Sequence, residues 1–582
     1  MKNDYSISVL RKRLFAICIA ITFLFCILFG RFLYVQVLWQ EGLYYRALDQ
    51  WTREIPLVAE RGLITDRNGV VLVENDTAYT VYARSNAVKD KEGTAARLSA
   101  ALGLDGNALL TKLSTVKASE ITVAKRVSKM QIVGLTAQSL DGVYFSRDNL
   151  RYYPYGQTLC QVLGFTSSDN TGSTGVEKYY DKYLSGKNGE LLYETDLVGI
   201  ELKDGVAAYR AAENGLSLQL TVDLRIQTLV EEALKKVAAE YSPAGAECIV
   251  LDPNNFEVLA MANYPSYDLN DVPRDDLTLL NALSRNRIVS DIYEPGSTFK
   301  VVTAAANVEE YLSGNKAAFS QTHIFPSSRT RSVDSTTVKC WSNHANGRHA
   351  NQTLADALNN SCNPCFTDIA MSLGTQTFYK YLSAFGFGNT TGLDFNGEAL
   401  GMLLPEGAVR GCDLARIGFG QTVAVTGLQL ACATAAAVNG GNYYTPHIVK
   451  RVYAEDGYTE KEVDAGFKRR VISEEASRIV AAMLEGVVSE GSGKKAFVEG
   501  ARVGGKTGTA QKYENGRIAA GKYVSSFVGF FPADAPRYLA LVIVDEPQGA
   551  YYGSVVAAPC AGEIFQGIVE LENSANEEVK EG

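Results

Sequence analysis

Residues 293–300 read Tyr-Glu-Pro-Gly-Ser-Thr-Phe-Lys, YEPGSTFK, and set a serine three residues ahead of a lysine. The spacing alone decides little, because the chain repeats it at Ser114/Lys117, Ser313/Lys316 and Ser492/Lys495. Context separates the four. Ser297 follows Pro295-Gly296, a turn signal, and opens STFKVVTAAANVEEYL, a run so rich in Val, Ala and Phe that most of its faces must be buried. This predicts a helix with Ser297 in its first turn and Lys300 on the same face, within reach of the hydroxyl. The positive end of the helix dipole then lies where an oxyanion would form. The other pairs lack that frame, two carrying glycine in loop-like sequence, and are expected on solvated surface.

Two further segments supply partners. NNSCNPCF gives Ser361-Cys362-Asn363, and VGGKTGTAQK gives Lys506-Thr507-Gly508-Thr509, the only Lys-Thr-Gly of the chain. A serine hydroxyl is a poor nucleophile until deprotonated. Lys300 can act as its base only if burial and the charge of Lys506 bring its pKa well below ~10.4.

Working outward, 582 residues are too many for one hydrophobic core, and 46% hydrophobic with 21% charged residues reads as folded throughout. The net charge of -9 argues against nucleic acid as a partner, which needs a basic face. Leu14 to Gly30 is an uncharged run of 17 residues, enough to cross a hydrocarbon core as a helix; Arg31 and FLYVQVLW carry it into the interface. Lys2, Arg11, Lys12 and Arg13 precede the run, so the first residues are expected to be cytoplasmic and everything after Trp39 extracytoplasmic. No small-x-small cleavage site follows it.

Beyond the anchor, residues 53 to about 210 are rich in strands and turns. RGLITDRNGVVLVEN predicts a hairpin about Asp66-Arg67-Asn68-Gly69, and GTAARLSAALGL a short helix. From Asn214-Gly215 the pattern changes: LSLQLTVD is a strand, LRIQTLVEEALKKVAAEY an amphipathic helix, and GAECIVLDPNNFEVLAMANYP two strands joined by a turn. Helices and strands alternate to a last helix near Ala557 to Leu571, and the tail ENSANEEVKEG is expected to fray.

The Ser297/Lys300, Ser361/Asn363 and Lys506-Thr507-Gly508 set, in that order, resembles the penicillin-recognising acyl-transfer enzymes. In detail the chain is similar to a class B, monofunctional penicillin-binding protein of the septal and sporulation branch, by YEPGSTFK, by CW ahead of SCN, and by GFGQTVAVTGLQL. RGLITDRNG, RYYPYGQTLCQVLGFT and GSTGVEKYYDKYLSGKNG resemble the family's non-catalytic pedestal. Thr422 and Gly427 depart from the pattern, standing where glycine and proline are commoner. The resemblance implies an α+β chain: a cytoplasmic N-terminus (1–13), a transmembrane anchor (14–38), a strand-rich dimerisation-type pedestal (39–214), a transpeptidase domain with an antiparallel sheet between helices (215–571) and a polar tail (572–582).

It also implies roles. Ser297 is the expected nucleophile toward a peptidoglycan stem ending in D-Ala-D-Ala, Lys300 its base, Ser361 a proton relay, and Asn363 a support for Lys300 and the substrate amide. Lys506 with the Thr507 and Thr509 hydroxyls binds the terminal carboxylate, Gly508 lets the substrate backbone approach closely, and the backbone N–H groups of Ser297 and Thr509 form an oxyanion hole. β-Lactams would acylate the serine, and a polytopic membrane glycan polymerase and division or sporulation machinery are the implied partners. No cofactor is expected. A hydrolase of the same superfamily, either a D,D-carboxypeptidase or a β-lactam-inactivating enzyme, and a non-catalytic β-lactam-binding scaffold are the competing readings.

Of ten cysteines, Cys18 and Cys26 lie in the apolar run, and the others are placed where disulfides are permitted. Cys362 sits between two site residues, so Cys340 and Cys362 form a candidate redox pair, with Cys365 nearby; buried free thiols are the plainer reading. Cys340, His344, His349, Cys362 and Cys365 offer enough ligands for zinc, but their spacing matches no zinc module and no metal is expected.

Overall fold

The computed structural model describes residues 7–40, 43, 52–115, 120–195, 201–326, 328–334, 336–342, 349–463, 466–514 and 517–581. Its residues fall into two compact units, one made of Met1–Ala59, Tyr79–Asp148 and Lys187–Asn214, the other of Glu60–Ala78, Asn149–Gly186 and Gly215–Gly582.

The first unit begins with helix α1 (Ile7–Leu33), which buries none of its residues and continues as a π-helical turn over Tyr34–Leu38. Among the described residues, Ile7–Leu38 is the one helix long and apolar enough to cross a membrane. The Arg31 guanidinium lies over the rings of Tyr34 and Trp39, at 5.2 and 5.7 Å from their centroids, an arrangement suited to an interfacial belt. The same unit holds an antiparallel sheet in which Gly189–Thr195 lies between Thr52–Leu57 and Glu201–Arg210. The expected helix runs over Lys91–Leu102, started by Asp90, whose carboxylate accepts the Gly93 N–H. Leu98 packs with Val81, Leu113 and Leu135 in a small core.

In the second unit the predicted hairpin closes at Asp66, whose Oδ1 accepts the N–H groups of Asn68 and Val70, each at 2.8 Å, with Gly69 at φ 87°. The three segments quoted for the pedestal meet in a buried ion cluster. Arg61 Nε donates to Glu177 Oε2 at 2.6 Å, Arg151 Nε to Glu177 Oε1 at 2.7 Å, and Arg61 also reaches Asp181 at 2.7 Å. These segments therefore pack within the larger body, although they precede Asn214 in the chain.

That body is organised by five antiparallel strands, β1 (Gly245–Leu251), β2 (Val258–Tyr264), β3 (Gly504–Glu514), β4 (Arg517–Phe531) and β5 (Tyr538–Asp545), in the order β2-β1-β5-β4-β3. Strand alternation assigns the two faces. Ala540, Val542 and Val544 of β5 join the core of α2 (Leu224–Tyr241) and the C-terminal helix, whereas Leu539, Leu541 and Ile543 join the opposite core. That opposite core contains α3 (Lys300–Leu312), α4 (Asn363–Ala384), α5 (Gly427–Val438) and α6 (Glu474–Ser489). The expected α+β layering, an antiparallel sheet between helices, is what the structure shows. The last helix, α7 (Ala557–Glu581), runs past Leu571, where the sequence suggests fraying; NSANEEVKE contains no glycine or proline to stop it.

Candidate active site

Ser297 lies not in the α-helix but in a 3-10 turn, Gly296–Phe299, that feeds α3. A 3-10 turn eclipses residues i and i+3, so Lys300, the first residue of α3, stands directly under the serine. Its Nζ is 3.0 Å from Ser297 Oγ. Gly296 enters the turn at φ 54°, a left-handed conformation that glycine adopts without strain, and its N–H donates to Gly420 O at 2.9 Å. The turn is also tied to the departing loop residue Thr422, whose N–H donates to Glu294 Oε1 at 2.9 Å. Thr422 itself has φ 62°, which is why glycine is the easier residue there.

Lys300 is fully buried and gathers the second motif. Its Nζ lies 2.7 Å from Asn363 Oδ1, 2.9 Å from Ser361 O and 3.2 Å from Ser361 Oγ. Asn363 is the first residue of α4, and Ser361, two residues before it, is held at φ 53°, a strained conformation for serine. Burial lowers the Lys300 pKa to about 8, partly opposed by the nearby thiols of Cys362, Cys340 and Cys365.

The third motif occupies β3, the edge strand of the sheet. Lys506 is fully buried, and burial together with the charge of Lys300 pushes its pKa well below the usual lysine range. Among the described residues neither Lys300 nor Lys506 has a carboxylate partner, so the two buried amines face the site without an ion pair to a carboxylate. The Thr509 hydroxyl accepts the Gly553 N–H at 3.0 Å, which leaves its own proton free to be donated. The Thr507 hydroxyl donates to Ser492 Oγ at 3.2 Å. Ser492 thus belongs to the site, not to the solvated surface its loop-like sequence suggests; no local signal marks it, because only the tertiary fold brings the loop to β3. The clearance at Gly508 is also used differently from expectation. A Cβ there would lie 2.4 Å from Ser526 Oγ and 3.0 Å from Pro295 O and Thr298 Cγ2, so the glycine makes room for the serine-bearing turn.

The cysteines form a buried group beside Lys300. Cys340 Sγ lies 3.9 Å from Cys362 Sγ and 3.7 Å from His349 Nδ1, and all the cysteines are free thiols. Hydrogen bonds from Cys340 and Cys365 lower the Cys362 pKa, and the same contact raises that of Cys340, so the group favours one thiolate. Cys340, His349 and Cys362 bring their ligand atoms within 4.8 Å of one another, a set that can also hold a soft divalent ion such as zinc. These three are among the ligands the sequence offers, and folding brings them together although their spacing matches no zinc module. His344 lies outside the described residues.

Residues 247–566 match the penicillin binding protein transpeptidase domain, and residues 56–220 the penicillin-binding protein dimerisation domain. The chain belongs to the penicillin-binding protein transpeptidase family. Carrying both domains, it is a class B penicillin-binding protein. Stage V sporulation protein D of Bacillus subtilis is 39% identical over 563 residues, covering 96% of this chain and 85% of the relative. Peptidoglycan D,D-transpeptidase FtsI of Escherichia coli is 29% identical over 569 residues, covering 96% and 91%. Among solved structures, a peptidoglycan synthetase from Bifidobacterium adolescentis aligns with TM-score 0.71 at 25% identity, covering 90% of this chain and 97% of that one. Penicillin binding protein 3 from Mycobacterium tuberculosis, complexed with aztreonam, aligns with TM-score 0.68 at 25% identity, covering 89% and 97%.

Proposed function

We propose that this penicillin-binding protein is a membrane-anchored peptidoglycan D,D-transpeptidase of septal or spore wall synthesis, acting through a Ser297 acyl-enzyme. The observation that carries the reading is the placement of a buried lysine amine 3.0 Å from a serine hydroxyl and in contact with Ser361 and Asn363. Neutral Lys300 takes the Ser297 proton as Oγ attacks the carbonyl of the penultimate D-Ala, and the backbone N–H groups of Ser297 and Thr509 receive the oxyanion. Ser361 passes the proton from Lys300 to the departing amine, the C–N bond breaks, and D-Ala leaves. Lys506 stands behind the groove, where a bound carboxylate favours its charged form, while the hydroxyls of Thr507 and Thr509 meet the terminal carboxylate. An amine from a second stem then attacks the acyl-enzyme, forming the cross-link and restoring Ser297.

The basic residues ahead of the apolar run Leu14–Gly30 support a cytoplasmic N-terminus and a catalytic body outside, on the side of its proposed substrate. No glycan-polymerising motif is seen in the sequence, so a polytopic membrane polymerase and division or sporulation machinery are the partners proposed. The test is incubation of the full-length protein in detergent with stem peptides ending in D-Ala-D-Ala. Release of D-Ala with a cross-linked peptide, both blocked by a penicillin, is expected. D-Ala release without cross-link, however much amine acceptor is supplied, would favour the carboxypeptidase; neither product from folded protein would favour the scaffold.

A second reading concerns control. The 3.9 Å separation of Cys340 and Cys362 Sγ lets a small shift join them, two thiols giving up two protons and two electrons to an oxidant of the disulfide class. Because Cys362 lies between Ser361 and Asn363, the bond would displace both from Lys300. Peptide mapping without reduction is expected to show Cys340 joined to Cys362 after mild oxidation, with acylation by penicillin lost and then regained on reduction. Free thiols at Cys340, Cys362 and Cys365 in the oxidised protein, or zinc retained on them, would end that reading.

A further inference from the structure

Acyl transfer uses Ser361 and Asn363 but not the sulfur between them. Cys362, Cys340 and His349 have no part in the proposed mechanism, yet all three are buried together, at 1%, 3% and 0% exposure. A lone buried thiol behaves as a small apolar residue. This group is more than that. Cys340 Sγ lies 3.9 Å from Cys362 Sγ and 3.7 Å from His349 Nδ1, and the three ligand atoms all fall within 4.8 Å of one another.

The separations can be compared with the edges of a coordination tetrahedron. Zn–S bonds of about 2.3 Å and Zn–N bonds of about 2.05 Å at tetrahedral angles set two sulfurs about 3.8 Å apart, and a sulfur and a nitrogen about 3.6 Å apart. The two measured edges agree with these to about 0.1 Å. The third edge, Cys362 to His349, is at most 4.8 Å and closes by no more than about 1 Å. The donor set is two sulfurs and an imidazole with no carboxylate among them, which selects zinc over magnesium or calcium. Around it, Cys365 and Gln352 make hydrogen bonds to the Cys362 sulfur, an outer layer of the kind that orients metal ligands. Trp341, 56% exposed, lies edge-on to the His349 ring at 6.1 Å, so the group sits one side chain below the surface and an ion has a short way in.

We infer that, in the reduced protein, Cys340, His349 and Cys362 form a binding site for a soft divalent cation, zinc, with the fourth position left to water. Binding turns two thiols into thiolates and releases two protons. The bound ion and a Cys340–Cys362 disulfide are alternative states of the same sulfurs: an oxidant of the disulfide class takes two electrons from the thiolates, the S–S bond forms and the ion leaves. The two states differ in geometry. The disulfide draws the sulfurs from 3.9 Å to about 2 Å, whereas the metal keeps them near their present separation, so Ser361 and Asn363 retain their contacts to Lys300. The site itself depends on neither the transpeptidase nor the disulfide reading.

The test is a Co²⁺ titration of the full-length protein in detergent, freed of metal with chelator and kept reduced with a phosphine, followed by absorption spectroscopy. One Co²⁺ per chain is expected, with the visible bands of four-coordinate cobalt and a thiolate-to-cobalt charge-transfer band, all removed by Zn²⁺ with an apparent Kd of about 1 μM or tighter. Cys340→Ser and His349→Ala are each expected to weaken binding at least about ten-fold, and Cys560→Ser, a buried thiol on the other side of the sheet, to leave it unchanged. Acylation by a penicillin, measured beside the titration, reports that each variant is folded. Absence of the thiolate band from the native protein overturns the inference whatever the variants do. So does Co²⁺ bound equally by the native protein and both ligand variants, which would be adventitious binding.

Discussion

Replacing Lys300 with alanine is expected to lower the rate of Ser297 acylation by a penicillin by about 10²–10⁴-fold, the range for loss of a positioned general base. The side chain is the only amine in contact with the Ser297 hydroxyl among the described residues. The pH profile carries the sign. Burial favours the neutral amine and brings its pKa to about 8, and the neutral form is the one that acts as base in the proposed mechanism. Acylation by the native protein should therefore rise about tenfold per pH unit below pH 8 and level off above it, being lost as pH falls through that value. In Lys300→Ala the residual rate should show no such limb. Acylation unchanged in the variant, or a flat native profile through this range, would remove Lys300 as the base.

The largest stability effect is expected at Glu177. Its side chain and that of Arg61 are fully buried, and Arg151 is nearly so. The glutamate holds both guanidiniums, and Asp181, which also contacts Arg61, is partly exposed. Glu177→Gln keeps the volume but leaves two buried cations short of their counter-charge, which costs about 3–5 kcal/mol when one partner of a buried pair is removed. The expected result is a marked drop in the thermal midpoint of the larger unit and earlier proteolysis between 60 and 78 and between 149 and 186. The exposed pair of Lys187 and Glu213 provides the contrast: Glu213→Gln should leave unfolding unchanged, because solvent screens that contact. A Glu177→Gln protein as stable as the native one would mean the cluster is not a keystone of the body.

What could be read from the sequence followed local rules. The helix Leu224–Tyr241 declares itself by its apolar spacing, and Gly245–Leu251 and Val258–Tyr264 by short apolar runs on either side of the Asn254-Asn255 turn. Ser297, Lys300, Ser361, Asn363, Lys506 and Thr507 were legible because a short motif fixes each, and the fold brings the three motifs together. The 3-10 geometry at Ser297 was not legible, since propensity does not distinguish a tight first turn from an α-helical one. Contacts between distant segments were also hidden. Arg61, Arg151 and Glu177 come from three stretches, Ser492 reaches Thr507 from another loop, and Glu247 looks like one polar residue at the start of a strand until its burial is known.

The central claim, that Ser297 is the acylated nucleophile, is tested most directly by treating the full-length protein with a fluorescent penicillin, beside Ser297→Ala, and locating the adduct by intact mass and peptide mapping. One stable adduct per chain, on the peptide that carries Ser297 and missing from the variant, is the predicted result. An adduct of the same yield on Ser297→Ala, or no adduct on folded native protein in reducing buffer, would contradict it.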